Sequence, residues 1–126
     1  MPEFSSASLA VIGAFASDMG LPPVTRANAP VSFEFSHWGT LTLMMADDGR
    51  RVLIFLERTP YFGQAARERR FLSRAGLDPA RGWFLHTGLA DDGSLLCFIG
   101  IEEEKFDIVT LDAALNHLVA EFDAVE

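Results

Sequence analysis

Cysteine is nearly absent from this 126-residue chain, and the single Cys97 cannot close an intramolecular disulfide. It lies in the apolar run Leu95-Leu96-Cys97-Phe98-Ile99, where a cysteine behaves as a small core hydrophobe. A reducing compartment fits that usage. Basic charge is also scarce: ten Lys and Arg against eighteen Asp and Glu give a net charge of −8 and a pI near 4.7. Duplex affinity depends on neutralising phosphates, so this balance excludes a general nucleic-acid binder. No apolar run is long enough to span a bilayer, because Leu9–Ala16 is short and interrupted by Gly13. No positive charge precedes it, which excludes a secretory leader there and points to a soluble, cytoplasmic chain without membrane contact. At this length one core is expected, so residues 1–126 are read as one domain.

Catalytic signatures are missing as well. The three histidines, His37, His86 and His117, show no metal-ligand spacing, and one cysteine anchors no zinc site. No G-x-S-x-G, P-loop or G-x-G-x-x-G motif occurs. The pairs Asp47-Asp48 and Asp91-Asp92 read as hairpin tips, where carboxylates are solvated and diverge; an acid–base dyad needs them converging in a cleft. The expectation is a chain that is not an enzyme and carries no cofactor or metal.

Apolar residues are what the chain has in surplus, with eleven phenylalanines and a mean hydropathy of +0.19. Ser5–Met19 reads as a first helix, capped by Ser5, Ser6 or Ser8 and stopped by Gly20 and Pro22-Pro23. Val31–Phe35 and Thr40–Met45 alternate apolar and polar residues like half-buried strands. Val52–Leu56 follows the Ala-Asp-Asp-Gly turn at 46–49 and is apolar at every position, so both its faces call for cover. Tyr61–Ala75 reads as an Arg-rich second helix. Trp83–Leu89 and Leu95–Ile101 form a second hairpin around a second Ala-Asp-Asp-Gly turn at 90–93. The two turns suggest an internal repeat, although hairpin turns draw on few residue types. A last helix starts near Asp107 or Thr110, with Leu111, Leu115, Leu118, Val119 and Phe122 at helical spacing. The expected fold is α+β: a mostly antiparallel five-stranded sheet with three helices, in the order α-βββ-α-ββ-α.

Two features point to a partner. If Val31, Phe33, Phe35, Leu41, Leu43, Met45, Val52, Ile54 and Leu56 face the helices, then Met44, Leu53, Phe55, Phe84, Leu96 and Phe98 point the other way and need a dimer mate or a bound partner. The second helix carries Arg67, Arg70 and Arg74 along one stripe, with Arg69 beside them. That stripe is the solvated face of the helix, a set of salt bridges across a dimer, or a surface for an acidic partner.

Element order, small size and low pI together resemble the type III secretion chaperones of the CesT/Tir-chaperone superfamily (class I). The resemblance runs from the helix ending Met19-Gly20-Leu21, through the 31–56 meander, the 61–75 helix and the 83–101 hairpin, to the Leu111–Phe122 helix. The family's leucine-rich segment after the third strand is replaced by Thr59-Pro60-Tyr61-Phe62-Gly63-Gln64 and the Arg-rich helix. The resemblance implies a homodimer that holds the N-terminal segment of an effector polypeptide extended and competent for secretion. It also implies partner contacts at Ile12, Phe15, Phe33, Phe35, Leu41 and Leu43. The alternative is a stand-alone regulatory or sensory domain that binds a folded partner.

Overall fold

The structure, a computed structural model, describes residues 2–24, 30–59 and 65–125. Helix α1 spans Ser6–Asp18, with the Ser5 hydroxyl accepting the Ser8 amide as its N-cap. Gly20 takes a positive φ of 68°, and the Leu21 amide closes on the Ala16 carbonyl, which ends the helix. Strands β1 (Val31–Phe35), β2 (Gly39–Met45) and β3 (Arg51–Arg58) form an antiparallel meander. Helix α2 occupies Ala65–Leu72 and ends three residues before the expected Ala75; the expected start at Tyr61–Gln64 lies outside the described residues.

A second meander follows: β4 (Gly76–Asp78), β5 (Trp83–Leu89) and β6 (Leu95–Glu102), before a single 3₁₀ turn at Glu103–Lys105. Helix α3 (Ile108–Asp123) starts at Asp107, whose carboxylate accepts the Thr110 amide at 2.7 Å. The sheet therefore has six strands and the order is α-βββ-α-βββ-α, which corrects the expected five. Only three residues long, and including Gly76, β4 is too short for alternation to show.

Strand order is β1-β2-β3-β6-β5-β4, with β3 and β6 antiparallel at the centre and Ile54 opposite Ile99. Each meander thus contributes three consecutive strands, and the two Ala-Asp-Asp-Gly turns join the second and third strand of each. Both turns close alike, with the Gly49 amide on the Ala46 carbonyl and the Gly93 amide on the Ala90 carbonyl, at 2.9 Å each. Because Arg51 pairs with Glu102 and Arg58 with Leu95, the turns sit at opposite ends of the sheet. At the β1–β2 turn, Gly39 has φ 107°, and a Cβ there would lie 2.2 Å from the Glu57 carbonyl oxygen, so only glycine fits.

All three helices pack on one face. Phe15 of α1 meets Phe33, and Phe122 of α3 stacks on Phe71 of α2 with ring centroids 4.3 Å apart. The Thr87 hydroxyl of β5 holds the Leu72 carbonyl at the end of α2. Between the layers lies the core, where Leu41, Leu43, Val52, Ile54, Leu56, Leu95, Cys97 and Ile99 are fully buried. Burial pushes the Cys97 thiol pKa well above its ordinary value, so it is an inert filler.

The start of α1 is clasped from across the sequence. One Glu103 carboxylate oxygen accepts the Ser8 hydroxyl at 2.6 Å and the Ser5 amide at 3.0 Å. Burial raises this carboxyl, but the Ser8 and Ser5 hydrogen bonds outweigh it and leave its pKa below the ordinary value. A carboxylate depressed in the folded state stabilises above its unfolded pKa and loses that contribution as pH falls through the folded one. Glu103→Gln is therefore expected to cost about 1 kcal/mol at pH 7. The gap between its urea midpoint and that of the natural chain should close in acid, below a pH of about 4.

Candidate functional site

The histidines and carboxylates do not converge. His37 is exposed in the β1–β2 turn, and His117 on α3 lies edge-on to Trp83. His86 sits on the opposite face of the sheet, stacked on Phe98 at 4.6 Å. Among the described residues no group of three or more His, Cys, Asp or Glu is placed to hold a metal ion. Asp48 accepts the Arg50 amide at 2.9 Å and Asp92 the Ser94 amide at 2.8 Å. These backbone hydrogen bonds hold both carboxyls below their ordinary pKa, which keeps the turns charged. Each aspartate shapes its own hairpin, and the two lie at opposite ends of the sheet.

The sheet face away from the helices is the distinctive surface. Residues of alternate parity reach it, and no described element of the chain lies across it. Register places Thr42, Phe55, Phe98 and His86 in one row across β2, β3, β6 and β5. The rings make a continuous ladder: Phe55 to Phe98 at 4.5 Å, Phe98 to His86 at 4.6 Å, His86 to Phe84 at 4.8 Å. Met44 and Leu53 pair in the next row, and Leu96 lies in the row on the other side. Met44, Leu53, Phe55, Leu96 and Phe98 are half-buried, whereas Phe84 is 50% exposed. Leu77, opposite Phe84 on β4, is 63% exposed.

Carboxylates bound this face at both ends. Glu34, Thr40 and Glu57 share a row beside the aromatic ladder. With Asp92 they line a cleft of about 610 Å³ at that end of the sheet. At the other end Asp47 and Asp48 adjoin Met44, Leu53 and Phe55 around a hollow of about 360 Å³. Bases stand among them at that end: Arg51 is engaged by Asp48 at 3.3 Å, and Arg81 and Lys105 line the neighbouring hollow with Gly100 and Glu102.

Other residues expected to meet a partner lie elsewhere. Ile12, Phe15, Leu41 and Leu43 have no exposed surface and Phe33 is 5% exposed, so in this conformation they are the chain's own core. Alternation marks which strand residues share a face but not that the chain's own helices fill the groove above them. Phe35 is half-buried against Trp38, their rings 5.1 Å apart.

The Arg stripe is partly engaged within the chain, although Arg69, Arg70 and Arg74 are exposed. Arg74 pairs with Glu121, and Arg70 reaches the Val125 carbonyl at 3.5 Å, so they tie α2 and the turn after it to the C-terminal end of α3 and the residues beyond it. Arg67 is partly buried. Sequence reading missed Arg58, which is 8% exposed. It donates to the Trp38 carbonyl at 2.9 Å, pairs with Asp123 at 3.3 Å and covers the Phe122 ring at 4.7 Å. Its place at the end of an apolar strand marks only a boundary in the sequence.

No protein-family model and no curated protein sequence matches the chain. Solved structures do match over nearly its whole length. The Yersinia pestis type III secretion chaperone SycH, in complex with a stable fragment of YscM2, superposes with a TM-score of 0.69 at 16% identity, covering 94% of this chain and 99% of that one. The ExsC–ExsE complex gives 0.67 at 19% identity, covering 95% and 91%. The ExoT–SpcS complex of Pseudomonas aeruginosa gives 0.62 at 18% identity, covering 98% and 100%. The chain has the α+β fold of the type III secretion chaperones.

Proposed function

We propose that this chain is a non-catalytic chaperone that binds the N-terminal segment of a secreted effector polypeptide and keeps it competent for secretion. The observation that carries the reading is the open apolar sheet face, in a fold shared with the type III secretion chaperone SycH, which was solved in complex with a fragment of YscM2. A soluble domain rarely leaves such a patch without a partner. Each large apolar side chain there gains roughly 1.5–3 kcal/mol on full burial. An extended client segment has a second foothold at the outer edge of β1, with which no described strand pairs.

The chain acts as a homodimer. Leu77 and Phe84 are adjacent on β4 and β5, and both are at least half exposed. They supply an apolar patch at the sheet's β4 edge, at the end of the aromatic ladder. Co-expression with polypeptides encoded beside its gene tests the whole reading. The expected result is a complex containing two copies of this chain and one client that is insoluble alone. Limited proteolysis should spare the client's N-terminal segment and cut the remainder. A monomer that retains none of these polypeptides overturns the proposal; a bound partner that resists protease throughout identifies a regulatory domain instead.

A further inference from the structure

His86 adjoins the surface at which, on the homodimer reading, two copies of the chain meet. It follows Phe84 on the same face of β5, their rings 4.8 Å apart, and stacks on Phe98 of β6 at 4.6 Å with an interplanar angle of 13°. The ring is exposed, and it makes no hydrogen bond or ion pair with any described residue. Phe84 and Gly88 flank it on β5, Leu96, Phe98 and Gly100 face it from β6, and Leu77 of β4 stands opposite Phe84. The nearest charged groups in register lie on β3. They are Glu57, opposite Leu96, and Arg51, whose side chain lies over Gly100 and is engaged by Asp48.

Two chains of net charge −8 repel each other, but the stretch formed by Leu77, Phe84 and His86 sets no carboxylate against another. A twofold contact there covers each copy with the same apolar residues. The neutral imidazole tolerates such cover far better than the imidazolium, which would lose its hydration with no anion to replace it. Histidine is also the side chain that ordinarily changes charge between about pH 5 and 8. We propose that His86 makes self-association pH-sensitive: with neutral imidazoles two copies close over the Leu77–Phe84 patch, and protonation of His86 drives them apart. The single chain accepts the proton and the dimer excludes it, so association is full above the histidine range and is lost as pH falls through it. The general trend of the molecule is the reverse, because acid removes negative charge and relieves the repulsion between copies.

Sedimentation equilibrium of the full chain at about pH 7.5 and about pH 5.5, at one ionic strength, tests this. The dimer dissociation constant should rise by at least about tenfold in acid, the amount by which one pH unit below the ordinary histidine value depletes the neutral ring. His86→Phe and His86→Gln place a planar group without a titrating nitrogen at an exposed position. The dissociation constant of each should differ by less than about threefold between the two pH values. Acid weakening that survives in both variants, or a natural dimer equally tight at both pH values, overturns the switch and leaves the homodimer standing. A chain that is monomeric at both overturns the homodimer and the switch with it; the chaperone reading is tested separately, by co-expression.

Discussion

Phe55→Ser with Phe98→Ser is expected to abolish client retention while leaving the chain folded. Both rings project from the face that no described helix covers, so losing them opens no cavity in the interlayer core. The fold should tolerate the change, because the central β3–β6 pairing keeps its opposite side, with Val52, Ile54, Leu56, Cys97 and Ile99 buried. Binding has no such reserve. Each half-buried ring stands to gain about half of the roughly 1.5–3 kcal/mol of full burial, so together they account for at least about tenfold in affinity. The measurement is the amount of soluble client recovered with the variant, alongside its circular dichroism and melting temperature. A folded variant that retains its client at the original level would remove this face from the binding mechanism.

Phe122→Ala acts on the opposite side and should produce the largest loss of stability. Phe122 has no exposed surface; it stacks on Phe71 and lies beneath the Arg58 guanidinium. Removing it opens a cavity where α2, α3 and β3 meet and takes away the ring that covers a nearly buried cation. Phe→Ala in a core costs about 3–5 kcal/mol, against a total of about 5–15 kcal/mol for a domain of this kind. The melting temperature should fall by on the order of 15 °C. Phe84→Ala is the control: the same atoms are removed from a half-exposed site, and the cost should stay below about 1 kcal/mol. Similar losses at the two positions would contradict the placement of the helices on this face.

Much of the fold was legible because its signals are local. Ser5 and Asp107 are cap residues in sequence and in structure, and both Ala-Asp-Asp-Gly stretches make the hairpins they predict. The division of β2 and β3 into two faces also follows directly, since Leu41, Leu43 and Met45 alternate with Thr40, Thr42 and Met44. Less legible were features that depend on distant partners. Nothing near Arg58 in sequence announces Trp38, Asp123 and Phe122 around it. Arg70 and Arg74 look like a free basic stripe until α3 lies alongside with Val125 and Glu121. Ile12 and Phe15 were equally ambiguous, because an apolar helix stripe is suited alike to the chain's own sheet and to a foreign segment.

The sequence by itself determined the helices, five of the six strands, the two hairpin turns and the surplus of apolar residues over what one layer of helices can cover. A period of two or 3.6 residues is a property of neighbouring positions, so it survives without any knowledge of the fold. Only the tertiary structure decided which apolar set was left open. Residues on both faces of β3 and β6 are apolar, and the choice came from how α1, α2 and α3 pack on Phe33, Phe71 and Phe122. The same long-range pairing of β3 with β6 carried the two Ala-Asp-Asp-Gly turns to opposite ends of the open face.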